Sequence, residues 1–211
     1  MRTVSFILIV LYCVLTSATG YGQDARWIAV PQVRALYDDN IRDEIRSRLL
    51  NTSIINGEDV VGQGHYGGHG MNSYLRGKYG RGTDIDNASY FFGGYAFIAP
   101  EPTQFTLREV LNRTKGNFPG GSTPLQYWNN QPLYVFDELS AYTCGTIAGI
   151  QAGQEKSSRV RTSYGYAQDL LRHAKTIVIL AKERRYPYVE ALEVYVNYME
   201  KVHKTIIEPN L

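Results

Sequence analysis

Cysteine is almost missing from this chain: two occur in 211 residues, Cys13 and Cys144. Cys13 falls inside an N-terminal apolar run that reads as removable, so the remainder has no internal disulfide. It must hold itself together by packing, and by a metal where one binds. Cys144 follows Tyr142-Thr143 in an apolar stretch and reads as a small buried residue rather than a reactive thiol. Excess charge of one sign is missing too. Lys and Arg number 22 against 20 Asp and Glu, and no basic tract stands out, which excludes the electrostatic footprint of a nucleic-acid binder. Beyond the N-terminus no run is apolar enough for a transmembrane helix. Internal repeats and long linkers are also missing.

The N-terminus itself reads Met1-Arg2-Thr3-Val4-Ser5, an apolar run from Phe6 to Leu15, then Thr16-Ser17-Ala18-Thr19-Gly20. A short basic start, an apolar centre and a small-residue end predict a signal peptide over 1–20, cut after Gly20. The run is short for a membrane anchor, and Cys13 lies within it rather than after it, which argues against a lipoprotein. The expectation is one domain over 21–211, secreted or periplasmic, of a size that supports a real core. Sequons at Asn51, Asn87 and Asn112 matter only in a eukaryotic secretory pathway, and bacterial export is the favoured setting.

Periodicity predicts a mainly α domain with a small β element, an α+β arrangement. Helices are expected over 33–50, 106–113, 133–151 and 163–184, with another opened by Pro187. Thr106 with Glu109 three residues later forms a capping box. Residues 89–98 read as a strand or hairpin turning at Gly93-Gly94, residues 76–87 as an exposed loop, and 117–124 as a Gly/Pro loop.

Two constellations carry chemistry. The first is Gly64-His65-Tyr66-Gly67-Gly68-His69-Gly70. On a helix, positions four apart share a face, so His65 and His69 could grip one ion. Each glycine costs about 1 kcal/mol against alanine in a helix, so such a helix survives only if buried and closely packed, where bare backbone lets a neighbour approach. The second is Asp137-Glu138 within an apolar run. Buried carboxylates need a partner, and Val135, Glu138 and Tyr142 share a helical face. Glu138 is thereby either a metal ligand, the partner of a buried Arg or Lys, or an N-terminal helix charge.

Together, His65-x-x-x-His69-Gly70 and the later Asp137-Glu138-x-x-Ala141-Tyr142 resemble the gluzincin zinc metallopeptidases, and in particular small exported bacterial proteins with H-E-x-T-H followed by D-E-x-x-A-Y. The resemblance covers these two segments and their order. It implies a zincin-like helical domain, zinc held by His65, His69 and Glu138, and a peptide or protein as substrate or ligand. At such a site Asp137 could orient a ligand histidine, and Tyr142 could hydrogen-bond a substrate carbonyl or a zinc ligand. The glutamate that serves such enzymes as general base is replaced by Tyr66, whose phenol, with a pKa of about 10, is a poor base at neutral pH. Glu58, Asp59 or Asp137 could substitute; otherwise hydrolysis is weak or lost. His173, between Arg172 and Lys175, and His203, near lysines, read as surface residues. The alternative is a metal-free extracellular module that uses its seventeen tyrosines and nearby glycines to bind glycan or peptide.

Overall fold

The computed structural model describes residues 26–29, 60–79, 86–91, 95–116, 118–119 and 123–211. In chain order they form strand β1 (Arg26–Ala29), helix α1 (Val60–Tyr79), strands β2 (Asp86–Phe91) and β3 (Tyr95–Pro100), and helices α2 (Leu107–Thr114), α3 (Thr123–Trp128), α4 (Tyr134–Gln151), α5 (Ser158–Glu183) and α6 (Val189–Val202). A π-helical turn (His203–Ile207) and a 3-10 turn (Glu208–Asn210) follow. The domain is mainly helical, with an antiparallel sheet of order β1-β3-β2. The signal-like segment, the helix expected over 33–50, Glu58, Asp59 and the Gly93-Gly94 turn lie outside the described residues. None of the described helices is long and apolar enough to cross a membrane.

Helix α4 is the axis of the domain. From Val135 to Gly149 it is buried except at Tyr142, as a helix apolar on nearly all sides must be. Its start has no side-chain cap of its own; instead the Glu101 carboxylate accepts from the Leu133 N–H at 2.9 Å, placing negative charge at the positive end of the helix. Helix α2 carries the expected capping box: Thr106 Oγ1 accepts from the Glu109 N–H at 3.3 Å, and Glu109 Oε2 from the Thr106 N–H at 3.0 Å. Phe97 of β3, Phe136 of α4 and Tyr195 of α6 meet edge to face, with centroids 5.2–5.6 Å apart. Those three fully buried rings pin sheet, central helix and C-terminal helix together, each worth about 1.5–3 kcal/mol on burial.

The glycine-rich helix α1 exists because it lies directly on α4. A Cβ added at Gly68 would stand 2.7 Å from Ala141 Cα, and one at Gly64 2.9 Å from the Cys144 carbonyl. From the other side, a Cβ at Gly145 would meet the Val61 carbonyl at 2.7 Å. Backbone touches backbone, and the packing repays the poor helix propensity. Gly70 faces open space. Gly68→Ala should therefore destabilise by about 1–3 kcal/mol through overpacking, whereas Gly70→Ala should stabilise by up to about 1 kcal/mol. Urea unfolding of the two variants checks both signs.

Three expectations are corrected here. The loop expected over 76–87 is helix as far as Tyr79, and β2 begins at Asp86; Arg76 continues α1 because its side chain has a partner on α4, described below. His173 is not on the surface but 2% exposed. It lies three residues after Leu170 and four before Ile177, on the apolar face of α5, with Nδ1 2.9 Å from Thr114 Oγ1 and its ring stacked on Phe118. His203, also 2% exposed, continues the stripe Leu192, Tyr195, Val196 and Met199, and its Nε2 lies 3.1 Å from Thr143 Oγ1. Flanking cations disguised both positions.

Burial holds the His203 pKa down to about 4. Between that value and about 6.5, the unfolded chain binds a proton that the native state refuses. Stability is therefore complete above pH 6.5 and falls as pH drops towards 4, by about 3 kcal/mol from this group. Comparing His203→Gln with the parent by urea unfolding at pH 7 and pH 4.5 should show a shallower pH dependence in the variant.

Candidate metal centre

His65, His69, Asn72 and Arg76 fall four, three and four residues apart, so one face of α1 carries an unbroken polar ladder. The facing side of α4 carries Tyr134, Glu138 and Tyr142 at intervals of four, with Asp137 three residues after Tyr134. The close approach at Gly64, Gly68 and Gly145 brings the two polar rows into register.

His65, His69 and Glu138 each offer one ligand atom, and these atoms all lie within 4.8 Å of one another. The two Nε2 atoms are 3.2 Å apart, and Glu138 Oε2 lies 3.6 Å from His69 Nε2. Ligands on a tetrahedral ion with bonds of about 2.0–2.1 Å stand about 3.3 Å from each other, so these separations suit a small divalent cation. Two neutral imidazoles and a carboxylate, two from one helix turn and one from a distant helix, are also a donor set such ions accept.

The protonation pattern points to the same place. Burial, then the charge of His69, pushes the His65 pKa down to about 4. Burial works the same way on His69, but hydrogen bonds and charge from Asp137 and Glu138 outweigh it and raise that pKa to about 9. One proton thus serves the pair, held on His69. A cation held by His65, His69 and Glu138 would replace that proton.

Around these three the support is uneven. Asp137, 1% exposed, places Oδ1 3.3 Å from His69 Nδ1, takes a short hydrogen bond from the Asn72 amide, and lies 3.8 Å from Arg76 through Oδ2. Its charge is committed to orienting His69. His65 Nδ1, by contrast, is buried and finds no hydrogen-bond partner among the described residues. Glu138 accepts from the Tyr134 phenol, whose pKa burial and then the Glu138 charge push far up. Tyr134 stacks on Trp128, centroids 4.0 Å apart, and lies parallel to the His69 ring at 6.3 Å. Tyr134→Phe should keep the fold and weaken metal binding by about 10–100-fold, as measured by competition with a chromogenic chelator.

Tyr142 sets its ring 4.3 Å from that of His65. Burial, then the nearby Glu138 charge, pushes its pKa up to about 12, so it is a phenolic donor at neutral pH. Tyr66 is 47% exposed, its ring edge-on to His65 at 5.6 Å. Among the described carboxylates, Asp137 and Glu138 are those whose charge reaches both imidazoles, and both are already engaged. Sequence reasoning placed the two histidines and the two carboxylates but passed over Asn72, Arg76 and Tyr134. They lie seven and eleven residues after His65, and four before Glu138, on the same helix faces, but that spacing alone does not mark a site residue.

No known protein family, curated protein or solved structure matches the chain. What the site can do follows from its own chemistry. It can hold a divalent cation beside a phenolic donor, and it lacks a free carboxylate base among the described residues.

Proposed function

We propose that this chain is an exported zinc-binding domain of gluzincin-like design, with peptide hydrolysis weak or lost because Tyr66 stands where a general base is needed. The gathering of ligand atoms from His65, His69 and Glu138 within 4.8 Å of one another supports it. Two imidazoles with one carboxylate favour zinc over the harder, oxygen-seeking magnesium and calcium. Bound zinc would polarise a carbonyl and lower the pKa of its water to about 7. The protein's own share is distinct: Asp137 would fix the His69 ring, Tyr134 would fix Glu138, and the Tyr142 phenol would donate to a substrate oxygen. The pattern of Met1–Gly20 supports export to a secreted or periplasmic location, with peptide or protein as substrate or ligand.

A second reading has one observation in its favour. A proton shared between imidazole nitrogens 3.2 Å apart preserves the same geometry without metal, as a metal-free binding module would. Elemental analysis of the domain purified without chelators separates the two. About one zinc per chain is expected; a domain that is isolated without metal and takes up none from micromolar zinc ends the first reading.

A further inference from the structure

Beside His65 a second feature opens: a cleft of about 290 Å³ whose walls include Val61, His65 and Tyr66 of α1, Tyr142 of α4, and Arg159 and Tyr166 of α5. Val61 and His65 are one turn apart on α1, and Arg159 and Tyr166 two turns apart on α5, so one face of each helix builds it. Both helices pack on α4, and Tyr142 stands between them. Neither Arg159 nor Tyr166 has any part in holding the metal.

We propose that this cleft is a recognition subsite for the C-terminal aromatic residue of a peptide. The ring enters among Tyr66, Tyr142 and Tyr166, and the free carboxylate meets Arg159. Tyr142 and Tyr166 meet edge to face, 5.2 Å between centroids at 66°, and Tyr142 is tilted 58° to His65. Such an array accepts one more ring edge-on, the geometry aromatic pairs prefer. Tyr66 and Tyr166 keep 47% and 38% of their surface exposed, so covering them removes apolar area from water. Arginine presents a planar fork that matches a carboxylate. A sugar would need an open, flat ring face and brings no charge to Arg159. The volume lies just below the range of about 300–1,000 Å³ that holds a drug-sized molecule, which suits a single side chain.

That the cleft serves a reaction rests on the metal reading, because His65 belongs to both; its preference for an aromatic acid does not. Zinc-loaded and zinc-free protein would be titrated calorimetrically with N-acetyl-Gly-Phe, N-acetyl-Gly-Ala and N-acetyl-Gly-Phe amide. The Phe acid should bind at least about tenfold more tightly than either of the others, a margin of about 1.4 kcal/mol. Tyr166→Ala should erase the margin over Ala, and Arg159→Gln the margin over the amide, with zinc content unchanged. Equal binding of the three peptides overturns the subsite and leaves the metal reading intact. So does a margin that survives both substitutions, or displacement of the peptide by an N-acetylglucosamine trimer. A protein that takes no zinc yet keeps the preference overturns the metal reading and leaves the subsite standing.

Discussion

Replacing His69 by glutamine is expected to abolish zinc binding, with a loss of more than about 100-fold in affinity. Removal of an outer hydrogen-bond partner alone costs about 10–100-fold, and in the proposed site His69 is both a ligand and the residue through which Asp137 would act. Glu138→Gln should lose zinc comparably, since a neutral amide oxygen replaces the anionic ligand. The two variants part ways in stability. Glu138→Gln takes a charge out of a site where Glu138 is 9% exposed. His69→Gln takes away the cation and leaves Asp137 and Glu138 facing each other's charge, with Arg76 their remaining cationic neighbour. Unpaired buried charge costs about 3–5 kcal/mol, so the glutamine at 69 should be the less stable of the two in metal-free buffer. Zinc stoichiometry with urea unfolding on the same samples reads both effects, and a His69→Gln protein that retains one equivalent of tightly bound zinc would contradict the assignment.

Tyr66→Glu is expected to gain activity. A carboxylate at this position supplies the base that the resemblance implies and the described residues lack. General-base catalysis is worth about 10²–10⁴-fold, so chelator-sensitive cleavage of a quenched fluorescent peptide should rise by that order. Because the side chain at 66 is half exposed, a glutamate there meets little desolvation and the fold should tolerate it. Tyr66→Gln, equal in polarity but without basicity, should show no gain. A zinc-loaded Tyr66→Glu protein no faster than its parent would place the deficiency elsewhere.

The helices were legible where local signals agreed with tertiary packing. Thr106 and Glu109 marked the start of α2, and Leu192, Tyr195, Val196 and Met199 marked the buried face of α6, because capping and apolar spacing act within one or two turns. The start of α5 was placed at Ser163, five residues late. Its true N-cap is Ser157, whose side chain accepts from the Val160 N–H, but the polar residues that follow hid the first turn. His173 and His203 were misplaced for a related reason. A charged neighbour in sequence says nothing about the face of a helix, and each imidazole is accommodated inside by a threonine from another element. The grouping of His65, His69, Asp137 and Glu138 was legible because two imidazoles one turn apart and two adjacent carboxylates in an apolar helix are costly unless employed. Asn72, Arg76 and Tyr134 were not, since an amide, a guanidinium or a phenol on a helix is ordinary until its partner across the interface is known.

Between the two imidazoles the chain offers three side-chain positions, and they are not equally free to vary. Gly67 and Gly68 are buried, while residue 66 faces water. A lineage could exchange the outward residue without disturbing the core, but could not discard a histidine or Asp137 without stranding the partners that remain inside. Variation at position 66 would thus change what the site can do while leaving the helix contact that builds it untouched.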